Sequence, residues 1–232
     1  IVTGVQTCAL PISALVVGAT GLVGGNLVNI LLESPEYEKV IVWVRKPTGI
    51  NNKKLEEKII NFELIDTYKL DDRLNHIFCC LGTTIKKAKS KNAFKKVDLE
   101  YIVSLARKAK ENDVSQFLVI SSMGANIKSS VFYNKVKGQL ETILSDLGLK
   151  GLKIFRPSLL LGDRAEFRFG EKAAEVISKC IPFIFNGALK KYKPVYGKTV
   201  AKAMYKVAVE EKSGIQAFDS EEIQIKGTII LK

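Results

Sequence analysis

The run Gly18-Ala19-Thr20-Gly21-Leu22-Val23-Gly24 constrains this chain more than any other stretch. An apolar segment, Ala14 to Val17, leads into it, and a helix-like segment, Asn26 to Leu32, follows. A glycine turn between strand and helix commits both to a βα unit. It also aims backbone N–H groups and a helix N-terminus at one point, where a pyrophosphate can sit. The spacing departs from Gly-x-Gly-x-x-Gly, but the placement is that of a dinucleotide loop. Gly21 lets the backbone approach the phosphates, and Gly24 lets the helix lie close on the strand.

The rest of the chain repeats the alternation. Strands are predicted at Val40 to Val44, Ile59 to Phe62, Ile77 to Leu81, Phe117 to Ile120 and Leu152 to Phe155. Helices are predicted from Gly21 to Glu33, from Asn92 to Lys110 and from Ser130 to Leu147; in the second, Val97, Tyr101, Leu105 and Ala109 form one stripe. Strands alternating with amphipathic helices give an α/β fold: a doubly wound, mostly parallel Rossmann sheet flanked by helices. Beyond Pro157 the alternation weakens. Helices near Lys172 to Lys179 and Thr199 to Glu210 and a closing strand-like piece form a small C-terminal region, 157–232, expected on the substrate side. With 47% hydrophobic residues, the stretch 14–232 suits one domain with a full core. Residues 1–13 read like an in-frame translation of a sequencing-library adapter and are expected to lie outside the fold, with the genuine protein starting just before Ala14.

Charge and cysteines exclude several classes. The net charge is +12, but the lysines are spread along the chain. The densest group, Lys86-Lys87-Ala88-Lys89-Ser90-Lys91, carries no base-reading motif, so nucleic acid is not an expected partner. No run reaches the roughly 18 apolar residues of a membrane span. Cys8, Cys79, Cys80 and Cys180 form no disulfide framework, and a chain with His76 as its one histidine assembles no ordinary zinc site. A reducing, cytoplasmic setting is expected.

Two further features carry chemistry. Arg45-Lys46 end the second strand, 21 residues after Gly24, with no adjacent acid. An acid there would hold the ribose 2′-hydroxyl of NAD, whereas an arginine can fork onto a 2′-phosphate, so NADP(H) is the expected cofactor. Tyr133 is the one tyrosine of seven with a lysine, Lys137, four residues on. Residues four apart share a helix face, and an ammonium beside a phenol favours phenolate, which suits the tyrosine to proton transfer. Ser121-Ser122 close the fifth strand, twelve residues before Tyr133. Either hydroxyl could face the ligand crevice and hydrogen-bond a carbonyl.

In this order the elements resemble the short-chain dehydrogenase/reductase superfamily. Phe78-Cys-Cys-Leu-Gly-Thr-Thr84, Ser121-Ser-Met-Gly-Ala125, Tyr133-x-x-x-Lys137-Gly138 and Phe155-Arg-Pro-Ser-Leu-Leu-Leu-Gly-Asp-Arg164 resemble its atypical branch that contains the Tat-interacting-protein oxidoreductases. The similarity runs from Ala14 to beyond Arg168. It implies an NADPH-binding Rossmann fold whose cofactor is lined by Gly18, Thr20 to Gly24, Arg45, Lys46, Leu81, Gly82, Lys137, Leu160 and Arg168. It also implies Tyr133 as acid/base, with Lys137 and Ser121 beside it. The implied activity is an oxidoreductase on a small carbonyl or alcohol. A non-catalytic NADP(H)-binding regulator with a protein partner is the alternative, and a nucleotide-sugar epimerase or dehydratase is a third. One departure stands out: the Asn-Asn-Ala-Gly stretch of orthodox members is replaced by Cys80-Leu81-Gly82-Thr83-Thr84, and the asparagine of their proton relay has no identifiable counterpart.

Overall fold

The computed structural model describes residues 12–162 and 193–228. Its centre is a seven-stranded sheet built from β1 (Ile12–Val17), β2 (Tyr37–Val44), β3 (Leu55–Ile59), β4 (His76–Cys79), β5 (Gln116–Ile120), β6 (Gly151–Phe155) and β9 (Gly214–Phe218). Their order is β3-β2-β1-β4-β5-β6-β9, and every pairing is parallel. The order reverses between β1 and β4, which opens a crevice at the C-terminal ends of those strands, the place where doubly wound sheets bind ligands.

Successive strand residues face opposite sides, and each side has its own core. Ala14, Val16, Val40, Val42, Phe78 and Leu118 pack with α1 (Leu22–Glu33) and α6 (Gly197–Val209), through Leu27, Val28 and Leu31 on one helix and Val200, Ala203 and Met204 on the other. Leu15, Val17, Ile41, Trp43, Ile77 and Phe117 pack with α4 (Tyr101–Glu111) and α5 (Phe132–Asp146), through Ile102, Leu105, Leu140 and Leu144. Of the stretch 157–232, α6, β9 and the last helix α7 (Ser220–Thr228) thus extend the main layers. The short pair β7 (Leu160–Leu161) and β8 (Val195–Tyr196) stands apart from the sheet. The helix expected near Lys172 to Lys179 lies outside the described residues.

Three boundaries differ from the sequence reading. Strand β1 takes in Ile12 and Ser13; Ser13 N–H donates to Asn75 Oδ1 at 2.9 Å. The third strand lies at Leu55–Ile59, while Phe62–Thr67 is a 3₁₀ turn. As an edge strand β3 pairs on one side only, so it needs no apolar run and carries charge instead. Its Glu56 and Lys58 join a surface cluster with Lys39 and Asp71. Finally, the long helix predicted from Asn92 is interrupted. After α2 (Ile85–Ala88) comes α3 (Lys91–Lys95), then a π-helical turn at Lys96–Glu100, then α4. Asp98, within that turn, is fully buried.

Candidate functional site

A cleft of about 1930 Å³ crosses the C-terminal ends of the strands. That is about twice the usual upper size of a single small-ligand pocket, room for a dinucleotide and a second molecule. At its centre the β1–α1 turn is held by contact too close for side chains. Gly18 has φ +86°, and a Cβ there would lie 2.5 Å from the Cys80 carbonyl oxygen. Helix α1 starts from Gly21 with no side-chain cap and no acid in its first turn. Its first N–H groups, which have no partner within the helix, are left to an anion. Gly18, Thr20, Gly21 and Leu22 line the cleft. Gly24 lies beneath the turn against Gly18, and Val23 faces a smaller inner cavity.

Both Arg45 and Lys46 are exposed where β2 ends; Arg45 lines the cleft and Lys46 does not. Beside Arg45 the structure adds Glu63 and Lys96, and it brings Tyr101, expected on the core stripe of its helix, to the cleft wall. Glu63 accepts from Tyr101 Oη at 2.6 Å and pairs with Lys96 Nζ at 2.5 Å. Burial first, then the Glu63 hydrogen bond, pushes the Tyr101 phenol up to about 12. Only tertiary folding brings Glu63, Lys96 and Tyr101 together, so no local pattern announced them.

The inner cavity, about 50 Å³, is where the candidate proton-transfer groups meet. Ser121, Tyr133, Lys137, Leu81, Gly82 and Leu160 all line it, together with Val23. Tyr133 sits on the first turn of α5, its ring 5.7 Å from that of the fully buried Phe94. Lys137 is one turn further along and 2% exposed. Ser121 N–H donates to the Phe155 carbonyl at 2.7 Å, which fixes the end of β5 against β6. The hydroxyl oxygens of Ser121 and Ser122 are buried and find no hydrogen-bond partner among the described residues. A buried hydroxyl without a partner is costly and rare. Both serines line the main cleft, but of the two only Ser121 also lines the inner cavity. Arg168 lies outside the described residues.

Lys137 has a partner that the sequence did not reveal. Its Nζ lies 2.8 Å from Asp98 Oδ1, and Asp98 Oδ2 accepts the Thr83 N–H at 2.8 Å. The remaining titratable candidates fall away. His76 lies at the opposite end of the sheet, bonded to Tyr37 Oη at 2.7 Å. Cys79 and Cys80 are free, and burial pushes the Cys79 thiol up to about 12 and the Cys80 thiol well above its ordinary value, which disfavours the thiolate at both. Among the described residues no cluster could hold a metal ion, and no helix is long and apolar enough to cross a membrane.

This fold and cleft are those of a nucleotide-cofactor protein, and residues 14–143 match the NAD dependent epimerase/dehydratase family, to which the chain belongs. Within it the chain is similar to Protein HTATIP2 of Rattus norvegicus, 35% identical over 176 residues, covering 73% of this chain and 72% of that one. It is also similar to the mitochondrial protein FMP52 of Eremothecium gossypii, 32% identical over 219 residues, covering 91% and 95%. The resemblance to the atypical short-chain branch, drawn from the motifs, therefore holds. Among solved structures, MoeE5 in complex with UDP-glucose and NAD superposes with a TM-score of 0.63 at 16% identity, covering 91% of this chain and 79% of that one. UDP-glucose 4-epimerase from Thermotoga maritima gives 0.64 at 18%, covering 90% and 77%. At such identities these two speak for the fold alone.

Proposed function

We propose that the protein is an NADPH-dependent oxidoreductase that reduces a small carbonyl compound, or oxidises the corresponding alcohol. The observation that carries this reading is the buried Ser121 hydroxyl, without a partner among the described residues, in one cavity with Tyr133 and Lys137. A carbonyl oxygen entering there would give the hydroxyl its missing acceptor. The residues around the cleft suit a dinucleotide: the tight Gly18 turn, the uncapped start of α1 and the Leu81–Gly82 loop. The reduced nicotinamide supplies the hydride when bound. The protein does the rest. Ser121 donates a hydrogen bond to the carbonyl oxygen and polarises it. Tyr133 passes its phenolic proton to the same oxygen as charge develops there. Lys137 stabilises the phenolate left behind and donates to the ribose of the cofactor.

Arg45 supports NADPH over NADH. It stands at the end of β2, where an acid would favour the 2′-hydroxyl. The nearby carboxylate of Glu63 is already engaged by Lys96 and Tyr101. Free Cys79 and Cys80 support a reducing compartment.

The test is a screen of aldehydes and ketones with NADPH and NADH, followed by absorbance of the reduced cofactor, with nucleotide sugars run alongside. Turnover of a carbonyl substrate is expected, and Tyr133→Phe should lower kcat about 100-fold or more. Equal turnover by the variant refutes the assignment of Tyr133. Binding of NADPH with turnover only of a nucleotide sugar refutes the reductase reading.

A further inference from the structure

The buried carboxylate of Asp98 does nothing in the scheme above, yet it stands directly behind the site, against Lys137 and the Thr83 N–H. Asp98 is fully buried and Lys137 nearly so. Three elements that are far apart in sequence converge on this one side chain. The π-helical turn presents it. Its Oδ2 accepts from Thr83, in the loop after β4 that lines the cleft. Its Oδ1 lies 2.8 Å from the ammonium of Lys137, on the helix that carries Tyr133. A lysine ends in a point charge on a flexible four-carbon stem, without the fork that orients an arginine. Buried in a cavity of about 50 Å³, such a group stays in one place only if something holds it there. The same low-dielectric surroundings make the pair sensitive to small displacements.

We propose that Asp98 is a positioning residue for the reaction. It fixes the ammonium of Lys137 at the wall of the cavity that Tyr133 and Ser121 share, and it ties the Gly82–Thr84 loop to α5, so that the cofactor side and the proton-transfer side keep one spacing. The pair is neutral as a whole. Lys137 therefore acts on Tyr133 as a placed hydrogen-bond donor, with most of its longer-range field cancelled by the carboxylate. This inference rests on the oxidoreductase reading for its kinetic consequence. The coupling of Asp98 to Lys137 is measurable without that reading.

The experiment is a double-mutant cycle with Asp98→Asn, Lys137→Met and the double variant. NADPH affinity is read by quenching of Trp43, which is the only tryptophan and lines the cleft. In otherwise native protein, Asp98→Asn is expected to lower kcat by at least about tenfold with substrate KM changed less than about threefold, and to weaken NADPH binding about three- to tenfold. In the Lys137→Met background the same substitution should change either quantity less than about twofold. Equal losses in both backgrounds, or no loss in the first, overturn the proposal. If Asp98→Asn fails to fold, Asp98→Glu keeps the charge and displaces it by one methylene; it should bind NADPH yet lose kcat by about tenfold, and native kcat in that variant overturns the proposal. If the wild type turns over no carbonyl compound, the oxidoreductase reading fails on its own, and the affinity cycle still decides whether Asp98 acts through Lys137.

Discussion

Replacing Gly24 by alanine should cripple cofactor binding, whereas the same change at Gly25 should be nearly harmless. A Cβ on Gly24 would lie 2.2 Å from the Gly18 carbonyl oxygen, 2.8 Å from the Gly18 carbonyl carbon and 3.1 Å from Ala19 Cα. All three are backbone atoms. Ordinary contact needs about 1 Å more than the shortest of these. The turn cannot retreat, because Gly18 is itself packed against the Cys80 carbonyl, so helix α1 must lift. Its Leu27, Val28 and Leu31 are fully buried against α6 and the sheet, and forced overpacking of this kind costs about 1–3 kcal/mol. The better helix propensity of alanine returns about 1 kcal/mol. The net loss of stability is modest, and the protein should still fold.

Binding suffers more. A displacement of about 1 Å takes a phosphate hydrogen bond from about 2.9 Å to nearly 4 Å, beyond useful range. One charge-assisted bond is worth about 1.5–3 kcal/mol, so NADPH affinity should fall about 10- to 100-fold. At Gly25 the nearest atom to a built Cβ is the Ala19 carbonyl oxygen at 3.3 Å. That contact needs only a few tenths of an ångström, and the propensity gain offsets it, so Gly25→Ala should bind within about threefold of wild type. Titration of NADPH against Trp43 fluorescence measures both variants. Wild-type affinity in Gly24→Ala, or equal damage in Gly25→Ala, would refute the claim that α1 is held down on the turn at Gly24.

The remaining predictions concern charge. Arg45→Ala should weaken NADPH at least about tenfold and NADH less than about threefold, the difference being the lost bonds to the 2′-phosphate; an equal loss for both cofactors in the same titration removes that role. Burial holds His76 down at about 4 against an ordinary 6.5. The folded protein therefore keeps it neutral while the unfolded chain takes up a proton, and stability should drop as pH falls from about 6.5 to about 4, by roughly 3 kcal/mol. Denaturant titrations across that range should show His76→Asn losing correspondingly less than wild type; parallel losses would mean that Glu211, 3.4 Å from Nε2, compensates the buried charge.

The features legible in the sequence are those set by local geometry. The β1–α1 turn needs glycine where the backbone meets itself, and Tyr133 and Lys137 share a face because a helix repeats every 3.6 residues. The outer strand β3 has no apolar run to mark it, because an edge strand satisfies its one pairing with Leu-Glu-Glu-Lys-Ile. Arg45 and Lys46 looked equivalent as a basic pair. Both are exposed at the end of β2, but Arg45 lines the cleft and Lys46 does not.

Asp98 was hidden for a different reason. In a run that reads Lys-Lys-Val-Asp-Leu-Glu, an aspartate counts by its type as solvated helix surface, although it lies four residues from both Phe94 and Ile102 and shares their face. Asp98 sits in the π-helical turn, where Phe94, Asp98, Ile102 and Ala106 form the buried line and Val97 and Tyr101 stand at the wall of the cleft. Such a turn strains regular hydrogen bonding, and a carboxylate in an apolar core needs a matched cation. That cation is Lys137, 2.8 Å away. Asp98, concealed by its residue type, is thus what joins the cofactor loop to the helix of Tyr133.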